Sequence, residues 1–109
     1  MDPFAEPDVT VHVTVIVTSA WETNWVRTSR IGSGGEVLGY QVTDSVGLFS
    51  PHATFPEALN AHADGCDQFR EAAREAGDLL ATNHWAREAL QIGIAGQHEP
   101  GPLDDDYWP

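Results

Sequence analysis

Val9-Thr10-Val11-His12-Val13-Thr14-Val15-Ile16-Val17-Thr18-Ser19 is the stretch on which the fold turns. Valine fills every odd position from 9 to 17, while Thr10, His12, Thr14, Ile16 and Thr18 fill the even ones. A period of two sends alternate side chains to opposite faces of an extended chain, and β-branched residues suit a pleated backbone, so residues 9–19 read as a β-strand. The all-valine set is expected to face the core and His12 to point away from it.

Outward from that strand, Glu22-Thr23-Asn24 lies between Trp21 and Trp25 and carries turn-forming residues, so a hairpin is expected to lead into a second strand over about 25–31. There Arg27 and Ser29 alternate with Val26, Thr28 and Arg30. Gly32-Ser33-Gly34-Gly35 reads as the next hairpin connection, and a third strand follows over about 36–42, with Leu38, Tyr40 and Val42 on one face. Val46, Leu48 and Phe49 either extend that strand past a bend near Asp44-Ser45 or form a short fourth one before Pro51.

At Thr54 the period changes to a helical one. Thr54 suits an N-cap, Pro56 falls in the first turn, and Glu57 completes a capping box. Phe55, Leu59, His62, Cys66, Phe69, Ala73 and Ala76 then draw one apolar stripe as far as Gly77, a suitable C-terminal stop. Asp78 or Thr82 is placed to cap a second helix whose Leu79, Leu80, Trp85, Ala86, Ala89, Leu90 and Ile92 are expected to make apolar contacts. Three or four antiparallel strands followed by two helices imply an α+β domain with both helices on one face of the sheet. The expected domain spans residues 1–96, and residues 97–109, rich in Pro, Gly and Asp, form an acidic tail expected to be flexible.

The composition narrows function by exclusion. Among 109 residues, 17 Asp plus Glu face 5 cationic residues, all Arg, for a formal net charge of -12. Nucleic-acid affinity rests on basic groups that displace counterions from phosphates, so direct DNA or RNA binding is disfavoured and a basic protein partner favoured. The absence of lysine beside abundant Ala, Gly and Arg suggests a GC-rich or salt-adapted source, bacterial or phage. Cys66 is the single cysteine, which leaves no internal disulfide and no paired-Cys metal site. Neither an ordinary signal peptide nor an apolar run of membrane-spanning length stands out, and a cytoplasmic location is expected.

Residues able to carry chemistry are few. His62 and Cys66, four apart on one helix, have the spacing of half a metal site or a thiolate pair, but both fall on the apolar stripe, where they read as core. Gly32-Ser33-Gly34-Gly35 lacks a P-loop lysine and precedes a strand rather than a helix. No triad or paired-acid pattern appears; no catalytic residue, metal or cofactor is assigned. Trp21, Trp25, Arg27 and Arg30 are the candidate binding residues of the sheet, because Arg offers a planar fork and tryptophan a stacking surface. A second candidate is the tail segment Asp104, Asp105, Asp106, Tyr107 and Trp108, an acidic-aromatic arrangement suited to docking.

Gly47-Leu48-Phe49-Ser50, followed by Thr54-Phe55-Pro56-Glu57-Ala58-Leu59, resembles the strand-to-helix junction of HicB-type antitoxins over about a dozen residues. The resemblance implies a protein that neutralises a basic partner. In that family a further strand usually follows the helix, where this chain continues into a second helix and an acidic tail.

The functional expectation is therefore a small acidic, non-enzymatic interaction module, regulatory, antitoxin-like or inhibitory. One alternative is a nucleic-acid mimic from a phage or mobile element, which needs carboxylates spaced like phosphates along one surface. Another is a small-ligand site or small enzyme on the sheet face around His12, Arg27 and Arg30. The long β-branched first strand also opens self-pairing, a homodimer through the sheet edge or face.

Overall fold

A computed structural model describes residues 10–96. Four strands, β1 (Val11–Trp21), β2 (Asn24–Ser33), β3 (Glu36–Asp44) and β4 (Phe49–His52), pair antiparallel in the order β1-β2-β3-β4. Two helices follow, α1 (Phe55–Glu75) and α2 (Leu79–Gly96), packed against each other and against one face of the sheet. Helix α1 lies over β2, β3 and β4, and α2 over β1. The expected α+β architecture is the observed one, with Phe49–His52 as a separate fourth strand. Among the described residues no helix is long and apolar enough to cross a membrane.

Turn chemistry fixes the meander. Ser33 pairs with Glu36 across Gly34 and Gly35, at φ 59 and 84, the two left-handed residues that a tight hairpin of the sheet's own twist requires. Trp21 pairs with Asn24 across Glu22-Thr23, and here Glu22 itself holds φ 55. The β3–β4 connection is organised by Asp44, 8% exposed, whose Oδ1 accepts the backbone N–H groups of Val46 at 2.9 Å and Leu48 at 2.8 Å. That single carboxylate satisfies two donors that a tight turn leaves unpaired.

The helices start and stop where their ends can be satisfied. The Thr54 hydroxyl accepts the Glu57 N–H at 3.3 Å, and the Asp78 carboxylate accepts the Ala81 N–H at 3.1 Å, so Asp78 caps α2. Between them the chain reverses after Ala76, with the Gly77 and Asp78 N–H groups returning to the carbonyls of Arg74 and Ala73. Gly65 lets α1 descend onto the sheet, since a Cβ there would stand 3.2 Å from Val26 Cγ1.

Helix-facing positions of the strands form the core. Val26, Val42, Ala58, Cys66, Ala81 and Trp85 make one cluster; Val17, Phe55, Leu59 and Ile92 make another. Trp85, 1% exposed, stacks on Phe69 with ring centroids 4.9 Å apart. Burying a side chain of that size removes about 200 Å² of largely apolar surface from water, the main favourable contribution a domain this small can muster.

Two sequence expectations change phase at bulges. The register of β1 against β2 shifts between Val15 and Val17, with Ile16 the extra residue. Val17 is therefore buried, but Val11, Val13 and Val15 lie on the other face of the sheet, 50%, 54% and 51% exposed, and His12 and Thr14 take the helix side. The all-valine set thus does not share the core. In β3 a second shift sets Gly39 opposite Ile31 and Val37 opposite Gly32, so Leu38 stands unpaired and Val37 moves to the helix side. Leu79, Leu80 and Leu90 of α2, expected as core contacts, are exposed, as is Ala76. Asp78 and the reversal place Leu79 and Leu80 ahead of the first buried turn, and Leu90 lies on the side of α2 away from Trp85 and Ile92.

Removing the β3–β4 clamp with Asp44→Ala leaves the Val46 and Leu48 donors without their acceptor and is expected to lower stability by about 2 kcal/mol, with Asp44→Asn losing less. Urea denaturation of the three proteins measures this.

Candidate functional site

Two places gather functional side chains: a buried polar knot under α1, and the sheet face that no helix covers. The knot centres on His62, with no exposed surface. Its Nε2 lies 2.8 Å from the Ser19 hydroxyl of β1 and its Nδ1 2.8 Å from the Thr28 hydroxyl of β2. Cys66, one turn further along α1 and fully buried, adjoins Ser19. A neutral imidazole has one donor and one acceptor, so it saturates both contacts, and each rotatable hydroxyl takes the complementary role.

Burial sets the protonation states. It pushes His62 from 6.5 down to about 4, because a charged ring is poorly solvated there. It pushes the Cys66 thiol up to about 12, with the Ser19 hydrogen bond pulling the other way and Glu88 and Asp67 adding to the rise. A histidine flanked by serine, threonine and cysteine has the composition of a nucleophilic site, but Ser19, Thr28, His62 and Cys66 are all at most 1% exposed. The serine and thiol have no open approach for a substrate, and the arrangement is a clamp joining α1 to two strands. Reading His62 and Cys66 as core agrees with this placement. The sequence does not expose the partners, which lie 43 and 34 residues away and enter only through sheet register.

The uncovered face of the sheet is the other candidate. Alternation with buried Val26, Thr28 and Val42 assigns to it Val11, Val13 and Val15 of β1, Trp25, Arg27, Ser29 and Ile31 of β2, and Gln41 and Thr43 of β3. Across β3, Phe49 pairs with Thr43 and is 62% exposed. No Asp or Glu stands at any of these positions. The guanidinium of Arg27 lies 4.1 Å from the centre of the Trp25 ring, which holds the cation flat against the face. Glu22 occupies the hairpin turn before β2, and Glu36, the first residue of β3, pairs with Ser33 in the end row of this face beside Val11.

The sheet candidates are therefore divided. Trp25 and Arg27 stand together on the open face. Trp21 and Arg30 stand on the helix side: Trp21 packs against His84 with centroids 4.8 Å apart, and Arg30 lines a shallow groove of about 380 Å³ with His12, Thr14, Gly32 and Val37. The patch expected to join Trp21, Trp25, Arg27 and Arg30 does not exist as one surface, because residues 25 and 27 differ in phase from 30, and the bulge at Ile16 turns Trp21 inward. For the same reason Arg27 cannot share a ligand with His12 and Arg30. Asp104, Asp105, Asp106, Tyr107 and Trp108 lie outside the described residues. Sequence reasoning missed Ile31 and Phe49 as members of the open face; a strand-phase comparison with Val26 and Val42 would have found Ile31.

Carboxylates crowd α1 instead. Asp67 and Glu71 are paired there with Arg70 and Arg74, at 2.7 to 2.9 Å. Glu57, Asp64 and Glu75 of the same helix form no ion pair among the described residues. No three His, Cys, Asp or Glu side chains of the described residues converge as metal ligands. None of the protein-family models, curated proteins or solved structures compared with the chain matches it.

The depressed His62 value carries a pH signature. Above pH 6.5 both folded and unfolded chains hold the ring neutral and its contribution is fully present; between 6.5 and about 4 only the unfolded chain takes up the proton, so stability falls by on the order of 3 kcal/mol across that window. Chemical denaturation at pH 7 and pH 4.5 should show this loss, and His62→Gln should flatten the slope. Cys66 should resist a thiol reagent in the folded protein and react at least about a hundredfold faster once denaturant unfolds it.

Proposed function

We propose that this protein is a non-enzymatic interaction module, of regulatory, antitoxin-like or inhibitory type, that docks a basic protein on the open face of its sheet. One observation carries the reading: in a chain with 17 acidic and 5 basic residues, the described part of the open face has a single acid, Glu36, and that one stands in its end row beside Ser33 and Val11. With its one carboxylate at the margin, where it stays in water, the rest of the face can be buried without the desolvation cost that such groups impose. Val11, Val13, Val15, Trp25, Ile31 and Phe49 would supply the contact area. The acids at the margins and on the helices would act at longer range, speeding encounter with a partner whose own apolar patch is framed by basic residues.

The nucleic-acid-mimic alternative gains no support from α1. Arg70 and Arg74 neutralise Asp67 and Glu71 in the middle of its acidic run, which interrupts any phosphate-like series. A small-ligand reading would rest on the His12 and Arg30 groove, which at about 380 Å³ is large enough for a small molecule but is half open to solvent rather than enclosed.

Affinity capture from the native host at low and high salt, read by mass spectrometry, tests the proposal. Wild-type protein is expected to retain a basic protein at low salt and release it as salt rises, while Phe49→Asp and Trp25→Ala weaken capture at least about tenfold with an unchanged circular dichroism spectrum. Failure to retain any protein, or equal retention by the variants, refutes docking on this face.

A further inference from the structure

The geometry points to a second copy of this chain as the occupant of the β1 edge, which pairs with no strand of the described residues, with the two β1 strands paired antiparallel about Val13 so that the sheets join into one of eight strands. This goes beyond the partner reading, since it uses the edge of the sheet and not its open face.

β1 is an outer strand of 11 residues, and nothing on it blocks pairing: it holds no Pro, Lys, Arg, Asp or Glu. Natural sheets usually blunt such edges with charge, proline or brevity. The opposite edge of this sheet is blunted in that way, since β4 has four residues and includes Pro51. The bulge at Ile16 divides β1, and the part before it, Val11 to Val15, is exposed at every residue, on the helix side as well as on the open face. A second strand can therefore approach this half without meeting α1 or α2.

The occupant is specified by the sequence of that half. Val11-His12-Val13-Thr14-Val15 reads nearly the same about Val13 in both directions. In an antiparallel pair centred there, Val11 meets the partner copy's Val15, Val13 meets its own equivalent, and His12 meets Thr14. All valine pairs then fall on the open face and both His–Thr pairs on the helix side, the groupings that favour cross-strand contact. No carboxylate lies within the segment, so a chain of net charge -12 can meet itself here without opposing like charges at the contact. A ladder of five residues buries on the order of 400 Å² per partner, below the standard interface size, so a reversible dimer of micromolar affinity is the expected strength.

Sedimentation across a concentration series tests the state, and a charge swap tests the place. Wild-type protein should move from the 11.9 kDa monomer toward twice that mass as concentration rises. His12→Glu with Thr14→Glu sets glutamates opposite each other on the side away from the open face, and should hold the chain monomeric with an unchanged circular dichroism spectrum. His12→Lys with Thr14→Lys should do the same, and mixing the two variants should restore a dimer. At high concentration the wild-type amides from Val11 to Val15 should all be protected from hydrogen exchange, where an unpaired edge protects only alternate ones. A monomer at every concentration, a dimer indifferent to the glutamates, or a mixture that fails to associate overturns the proposal. The captured partner of the open face is read separately, so either idea can fall alone.

Discussion

The extra residue at Ile16 is the constraint on which the rest of this molecule depends. A strand with one added residue between pairing partners turns every later side chain to the opposite face, because the period of a strand is two. After the bulge, Val17, Ser19 and Trp21 point at the helices and enter the core. Before it, Val11, Val13 and Val15 point the other way and stay in contact with water. One strand thus serves two purposes, anchoring the helices with its second half and extending a bare apolar ridge with its first.

The anchoring half is joined to α1 through polar groups as well as packing. His62 reaches Ser19 and Thr28 at 2.8 Å each, which ties β1 and β2 to one helix position and sets the height at which Gly65 meets Val26. Hydrogen bonds in so dry a place are strong only while complete, and a single unpaired hydroxyl there would cost more than the bond had contributed. Two buried ring nitrogens nearby, Trp21 Nε1 and His84 Nε2, lack partners among the described residues, in contrast with the fully satisfied His62.

Charge is sorted by layer. The helices carry acids, some neutralised by Arg70 and Arg74; Glu22 sits in the first turn and Glu36 in the end row of the open sheet face, whose remaining charge is Arg27, laid over Trp25. Seven of the 17 acids belong to residues 1–9 and 97–109, so much of the net charge lies outside the described fold. The sheet side is suited to burial against protein, and the helix side to solvent and long-range attraction.

By itself the sequence determined the first three strands, their turns, the helix cap at Thr54, the apolar stripe of α1 and hence the α+β class, because each depends on neighbours a few residues apart, while the separate fourth strand and the choice of Asp78 over Thr82 as the second cap came from the structure. Periodicity, glycine pairs and capping residues are local signals. The tertiary structure alone decided which side of each strand faces inward: the bulges at Ile16 and Leu38 arise from pairing with β2, and nothing in the run of valines records them. It alone separated Arg27 from Arg30, turned Trp21 toward His84, and brought Ser19 and Thr28 to His62. Those relations depend on register between strands and on the packing of helices over them, and a one-residue shift in register reverses every face that the local pattern assigns.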